Sequence, residues 1–458
     1  MKNLLLIPEL KELISRQDSQ ALKEFGETNH PAIVAELIAG LSPEEIVFVL
    51  RQINLQKRAE IFSHLDEDSQ IKIIDVLQRD EIVQILTEMS PDDRADLFKG
   101  LAEEKREILW PALAQAERED IRRLTSYREG TAGAVMTSDY ATLSPEMTSS
   151  QAIEHLRKIA PDKETIYYSY VVDRRRRLIG FVSLKDLILA PRTVQVKEIM
   201  HRDVIFVRVE DDQEKAALLI QKYDLLALPV VNGNNVLVGI ITYDDAMDVL
   251  TQEQTEDMEK FMAITGSHEV AVYMRTSAWD QFKNRAPWVV ILALLGFISG
   301  AVVQKFEMLL MNFTILAAFM PMLADTGGNT GSQSATMIVR ALALQEIRPK
   351  NLLRVLYKES QIAILLGILL GMIAYGRFLL VAGSYQGEGV PLGKIGIAVA
   401  LALCFQVITA TLIGAILPLG AALFHFDPAV VASPALTTIV DITGLLIYFS
   451  TVKIFIGL

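Results

Sequence analysis

Cysteine is almost absent. Cys404 is the single one in 458 residues, inside an apolar run, which excludes a disulfide framework and a thiolate metal cluster. Histidine is scarce as well: His30, His64, His155, His201, His268 and His425 are scattered, with no zinc-type spacing. A metal site would have to be built from oxygen, which points to Mg²⁺ or Ca²⁺. The N-terminal run Met-Lys-Asn-Leu-Leu-Leu-Ile-Pro is too short for a signal peptide, so the first part is expected to stay in the cytosol. No nucleophile–base pair, phosphate loop or catalytic metal signature stands out, and an enzyme is not expected. Basic residues are outnumbered by acids before Trp279. From there on 11 Lys/Arg face 8 Asp/Glu, or +3, so the formal net charge of −12 leaves −15 for the preceding part. That excess argues against a nucleic-acid partner and suits a multivalent cation.

Long apolar runs, in contrast, are plentiful after Trp288. Five stretches, 288–304, 313–339, 360–382, 393–424 and 429–456, each have about the length a bilayer needs. Trp279–Trp288 mixes aromatics with Lys283 and Arg285, as at a water–lipid boundary. Lys283, Arg285, Arg340, Arg348, Lys350, Arg354 and Lys358 flank one side, and Lys305 and Lys394 the other. The positive-inside rule then puts the N-terminus in the cytosol and the C-terminus outside.

The last run holds Ser433 to Tyr448, with Asp441 in its middle. A carboxylate at bilayer depth costs from about 3 kcal/mol upward unless it faces water or a cation. Helical spacing puts Thr437, Asp441 and Gly444 on one face, and Pro434 is expected to leave nearby carbonyls without intrahelical partners. The stretch reads as the wall of a cation pathway; the plainer reading is a polar residue that glues helices. In the second run, Pro321 and Gly327-Gly328 are expected to break the helix at membrane depth, with Asn329 and Gln333 one turn apart and Thr336 beside them. Packing of Ser and Thr between helices is the alternative there.

The cytosolic part carries two repeats. Up to about Arg123 the period is 24: Ile14, Ile38, Phe62, Leu86 and Trp110 recur in phase, with cap signals such as Ser42-Pro-Glu-Glu and Ser90-Pro-Asp-Asp. The unit is a pair of short helices, stacked into an acidic all-α solenoid. Next come two units opened by Ala134-Val-Met-Thr and Glu198-Ile-Met-His. Each runs helix, strand, turn, strand, helix, with Asn232-Gly233 expected to make the second tight turn. They resemble a tandem pair of CBS domains. The tails Gly180…Ser183…Asp186 and Gly239…Thr242…Asp245 carry that likeness, which implies a hydroxyl on phosphate and an Asp on ribose. A pair that only holds subunits together is the alternative. From Asp244 to Ser277 the pattern reads as one continuing acidic helix.

Taken together, the chain resembles the MgtE family of bacterial magnesium channels and transporters, most specifically in Gly-Gly-Asn-Thr-Gly-x-Gln-Ser and in Asp441-Ile-Thr-Gly-Leu-Leu-Ile-Tyr. The expected organisation is a helical-repeat domain (1–128), tandem α/β CBS domains (129–250), a connecting plug helix (251–278) and a five-helix transmembrane domain (279–458). The resemblance implies a homodimer in the cell membrane with its pore on the two-fold axis, Asp441 of both subunits binding one hydrated Mg²⁺ and Thr437 lining that site. It also implies gating: Mg²⁺ between the cytosolic domains shuts the pore, and ATP on the CBS pair adjusts the response. The matching sensing acids are Glu60, Asp92 and Asp96 in the solenoid, Glu214, Asp224, Asp245 and Asp248 in the CBS region, Glu253, Glu256 and Asp257 on the plug helix, and Asp427 in the last membrane loop. It assigns Asp325 no role. An ion-coupled carrier and a non-transporting nucleotide sensor remain the competing readings.

Overall fold

The computed structural model describes residues 7–264, 277–382, 391–432 and 434–457. It separates into two compact units, Met1–Thr251 and Gln252–Leu458.

The first unit opens with α1 (Ile7–Ser15), α2 (Ser19–Thr28), α3 (Pro31–Ile38), α4 (Pro43–Arg51) and α5 (Leu55–Ser63). It continues with α6 (Glu67–Val76), α7 (Arg79–Glu88), α8 (Pro91–Gly100), α9 (Glu103–Leu109) and α10 (Gln115–Leu124). From α2 onward each helix starts 12 residues after the last (19, 31, 43 and so on to 115), so the 24-residue period is two helical steps. Helices two apart stack: α3 on α5 on α7, and α4 on α6 on α8 on α10. Asp18, His30, Ser42, Asn54 and Asp66 recur at that same step, and each accepts from a first-turn amide. The in-phase residues Ile38, Phe62 and Leu86 form one core line. Two buried polar residues, also 24 apart, close the helices below them. Gln70 donates to the carbonyls of Phe62, Ser63 and Leu65, and Arg94 to those of Leu86, Thr87 and Met89.

Two matching α/β units follow. The first holds β1 (Tyr140–Leu143), α11 (Ser149–Ile159), β2 (Thr165–Val172), β3 (Leu178–Ser183), α12 (Leu184–Leu189) and α13 (Val196–Ile199). The second holds β4 (Val207–Arg208), α14 (Gln213–Tyr223), β5 (Ala227–Val231) and β6 (Leu237–Thr242), and leads into α15 (Tyr243–Phe261). In each sheet a parallel pair is followed by an antiparallel one. The tight turn expected at Asn232-Gly233 is instead a longer one. The Asn232 side chain accepts from the amides of Asn234 and Val236, and Asn235 takes the left-handed conformation. Asp173 and Arg176 repeat the device in the first unit.

The acidic helix expected to run to Ser277 stops at Phe261. Ala263 adopts φ 54° and the Ile264 amide reaches back to the Glu259 carbonyl, a left-handed stop. Residues 265–276 of that expected helix lie outside the described residues, as does Ser433.

The second unit carries α16 (Ala278–Lys305), α17 (Glu307–Asn312), α18 (Met320–Ala343), α19 (Leu352–Ala382), α20 (Leu392–Leu423), α21 (Pro428–Ala432) and α22 (Pro434–Ile456). Five of these are long, as expected. Among the described residues four segments are long and apolar enough to cross a membrane: Ala278–Lys305, Pro349–Val381, Leu392–Leu423 and Ala435–Ile456. The remaining long helix, α18, owes its place to protein rather than to hydropathy, because it packs between α20 and α22.

Nor is α18 broken where Pro321 and Gly327-Gly328 stand. Pro321 occupies the first turn, where no amide donor is needed. The glycines serve close approach: a Cβ at Gly327 would collide with Gln406 of α20, and one at Gly414 with the backbone of Gly331. Pro434 likewise begins α22 instead of interrupting it.

Candidate functional site

In the membrane unit, α18 has two faces. Gly327, Gly328, Gly331, Ser334 and Ala335 are buried, while Asp325, Asn329, Gln333 and Thr336 form an uncovered polar stripe. Asn329 Nδ2 donates to Asp325 Oδ1 at 3.0 Å, which gives Asp325 a partner the sequence did not offer. The buried face lies on α22, where Gly328 packs on Thr437 and Gly331 on Leu436 and Val440. Asp441, next to Val440, has an enclosed Oδ1 with no hydrogen-bond partner. A carboxylate oxygen without a protein donor can be met by a cation or its hydration water, and Mg²⁺ keeps several waters.

Two polar residues of this unit were not anticipated. Gln406 of α20 donates to the Leu323 carbonyl at 2.8 Å, and Ser334 donates to Glu359 of α19 at 2.8 Å. Gln406, Ser334 and Glu359 are all buried; Gln406 stands alone in an apolar run, and no spacing pattern singled out Glu359.

At the near end of this unit, Lys260 of α15 reaches Asp427, which follows α20, at 2.9 Å, and also pairs with Glu256. Burial, then the charge of Asp427, raises the Asp257 carboxyl. Three expected sensing acids thus meet around a lysine that the sequence reading passed over. Glu253 lies one turn earlier on α15.

In the first unit, Ala95 of α8 shares a core with Ala246 and Val249 of α15. That contact brings Asp92 and Asp245 together. Burial, then the carboxylates of Asp245, Asp93 and Glu164, hold Asp92 well above the ordinary range. Its Oδ1 is enclosed without a partner. Burial also pushes Asp245 up to about 7, against the 2.5 Å hydrogen bond from Thr242 and with the charges of Asp244, Asp93 and Glu164. Asp248 is raised by burial and then by Asp244.

The cluster is not quite the expected one. Asp93 and Glu164 belong to it, both raised by burial first. Asp96 points away, exposed and paired with Lys99 at 2.9 Å. Glu60 is exposed on α5. Glu214 and Asp224 sit at opposite ends of α14, so one chain does not bring them together. Among the described residues no three His, Cys, Asp or Glu side chains form a metal-binding group on their own. A divalent ion here would rest on one or two carboxylates and water, which suits Mg²⁺.

The two hydroxyl–Asp tails also part company. Thr242 and Asp245 belong to the acid cluster. Ser183 and Asp186 cap α12, with Ser183 Oγ 2.6 Å from Asp186 Oδ2. Burial opposes the Asp186 charge, but hydrogen bonds from Ser183 and His201 outweigh it and lower its pKa. His201 stacks on Phe181, their centroids 5.0 Å apart. Phe181 in turn lines a small cleft with Tyr168, Tyr170, Asp203, Ile205 and Pro229. The aromatic wall was missed; Tyr168 and Tyr170, two apart on β2, were the available signal.

Three family models match the chain: the MgtE divalent cation transporter at residues 320–451, the MgtE intracellular N domain at 29–130, and the CBS domain at 132–192 and 196–252. The chain is 38% identical to the magnesium transporter MgtE of Thermus thermophilus over 452 residues, 98% of each protein. With the protein of that name from Bacillus subtilis it shares 36% over 341 residues, 74% of this chain and 73% of that one. Its fold matches a crystal structure described as the cytosolic domain of the Mg²⁺ channel MgtE in complex with ATP. The TM-score is 0.51 at 38% identity, covering 53% of this chain and 100% of that one. A second match, the soluble part of a magnesium transporter, has a TM-score of 0.51 at 30% identity, covering 54% of this chain and 97% of that one.

Proposed function

The chain belongs to the MgtE family of divalent cation transporters, and from that premise we propose that it is a Mg²⁺-selective channel of the cell membrane, gated by Mg²⁺. The observation that carries the reading is Asp441: a carboxylate with an enclosed, unpaired oxygen on a membrane helix, beside α18 with its uncovered polar stripe. An uncovered stripe at bilayer depth needs water or a second copy, so the pore lies between two subunits. Asp441 and the Thr437 turn then meet a hydrated ion on the two-fold axis.

Gating follows from charge. Asp92, Asp93, Glu164, Asp245 and Asp248 repel one another, and a divalent ion among them favours the compact arrangement. Glu256, Asp257 and Asp427 form the corresponding place near the membrane helices, and Glu60, Asp96, Glu214, Asp224 and Glu253 supply outer carboxylates or a second subunit's share. ATP in the CBS cleft adjusts the threshold, with Phe181 available to its base and Asp186 to its ribose.

Uptake of Mg²⁺ into liposomes, with millimolar Mg²⁺ present or absent on the side of the first unit, tests both parts. The reading requires uptake that this Mg²⁺ suppresses; no uptake under either condition contradicts transport, and unsuppressed uptake contradicts gating. An ion-coupled carrier is the second reading, favoured by the buried Glu359, since carriers place extra acids along the path. Unitary currents would exclude it.

A further inference from the structure

Gln406 sits on α20 where α18 and α22 both pack, and only 2% of it is exposed. Its Nε2 holds the Leu323 carbonyl of α18. Its Oε1 is enclosed and has no hydrogen-bond partner. Two glycines on different helices make room for this one amide: a Cβ at Gly327 of α18 or at Gly444 of α22 would run into it. Gly444 lies three residues from Asp441, on the same helical face. Val440, adjacent to Asp441, fills the other side against Gly327.

An unpaired amide oxygen costs stability, and a methionine of similar length would fill the same space without that cost. Packing alone therefore gives no reason for glutamine here. The side chain does something a methionine cannot: it ties one helix by its backbone while occupying a notch in the other.

We propose that Gln406 is a positioning residue for cation passage. Bonded to α18 at Leu323 and seated in the notch formed by Gly327 and Gly444, it fixes how α18 stands against the Asp441 face of α22. It thereby sets where the carboxylate meets the hydrated ion. The inference rests on the reading of Asp441 as the ion-contacting group.

The test uses the purified full-length protein in liposomes, with Mg²⁺ uptake, the Mg²⁺/Ca²⁺ uptake ratio and melting temperature read in parallel. Gln406→Met is expected to melt at or above the wild-type temperature. Its Mg²⁺ uptake should fall about fivefold, the factor one ordinary hydrogen bond represents, with the ratio shifted toward Ca²⁺. Gly444→Ala should also lower uptake, and that effect should vanish in a Gln406→Ala background, where the obstructing amide is gone. Wild-type uptake and ratio in Gln406→Met would overturn the inference. So would a Gly444→Ala defect that is equal with and without Gln406, and that pair decides alone if Gln406→Met fails to fold. Asp441→Asn separates the two levels. Normal uptake there removes the Asp441 reading and this inference with it, whereas lost uptake there beside normal Gln406→Met removes the inference only.

Discussion

The ammonium of Lys260 lies 2.9 Å from the Asp427 carboxylate, with Glu256 one turn earlier closing on its other side. A cation belonging to the protein thus stands where Glu256, Asp257 and Asp427 meet. Burial disfavours its charge, yet hydrogen bonds to both acids and their charge hold it above its ordinary range.

Replacing Lys260 by Met leaves those acids without their built-in counter-charge. The last turn of α15 should lose about 1 kcal/mol, the upper end for a partly exposed ion pair. Hydrogen exchange of the Met258–Phe261 amides should then quicken roughly fivefold without divalent ions. Unchanged exchange would show the ion pair to be incidental.

The acid cluster of the first unit predicts an unusual pH dependence. Asp245 titrates near 3.8 when unfolded and about 7 when folded, and Asp92 is raised as well. A raised carboxyl contributes stability that is complete below the unfolded value and lost as pH rises through the folded one. Without divalent ions the first unit should therefore melt higher at pH 6 than at pH 8, by on the order of 1 kcal/mol. Millimolar Mg²⁺ should flatten the difference, because it favours the ionised form. A melting temperature that rises from pH 6 to pH 8 without Mg²⁺ would contradict the cluster.

Nucleotide binding separates the two hydroxyl–Asp tails. Phe181→Ala should weaken ATP binding by about tenfold or more, consistent with ~1–3 kcal/mol for a base stacked on an aromatic ring. Asp186→Ala should weaken it too, and Thr242→Ala should leave it nearly unchanged. Calorimetry showing the reverse order would move the site to the acid cluster.

Much of this was legible in the sequence because it rests on period. Caps and core residues recurring at 24 marked the solenoid, paired strand motifs marked the CBS units, and apolar length marked four of the five long helices of the second unit. What escaped depends on partners distant in sequence. Pro321, Gly327 and Gly328 read as breakers by local propensity, yet α18 runs through them, because α20 and α22 require small residues at that crossing. Asp92 and Asp96 looked equivalent one turn apart; the Ala95 contact with α15 buries one and turns the other outward. Gln406, Glu359 and Lys260 act through residues 25 to 167 positions away, which no local pattern records.

The glycine crossing makes a prediction of its own. Gly414→Val would drive a side chain into the Gly331 backbone, so α18 and α20 must separate. Overpacking of this kind costs about 1–3 kcal/mol. The variant should melt lower in detergent and lose Mg²⁺ uptake, while the first unit keeps its ATP binding. Wild-type melting would show that the crossing has room for the larger side chain.

The most direct measurement is Mg²⁺ uptake by purified, correctly folded Asp441→Ala protein in liposomes, with no Mg²⁺ on the side of the first unit. Loss of uptake, with dimer assembly and melting temperature kept, is the result expected if Asp441 meets the passing ion. Uptake at the wild-type rate would contradict the assignment of the ion path to α18 and α22.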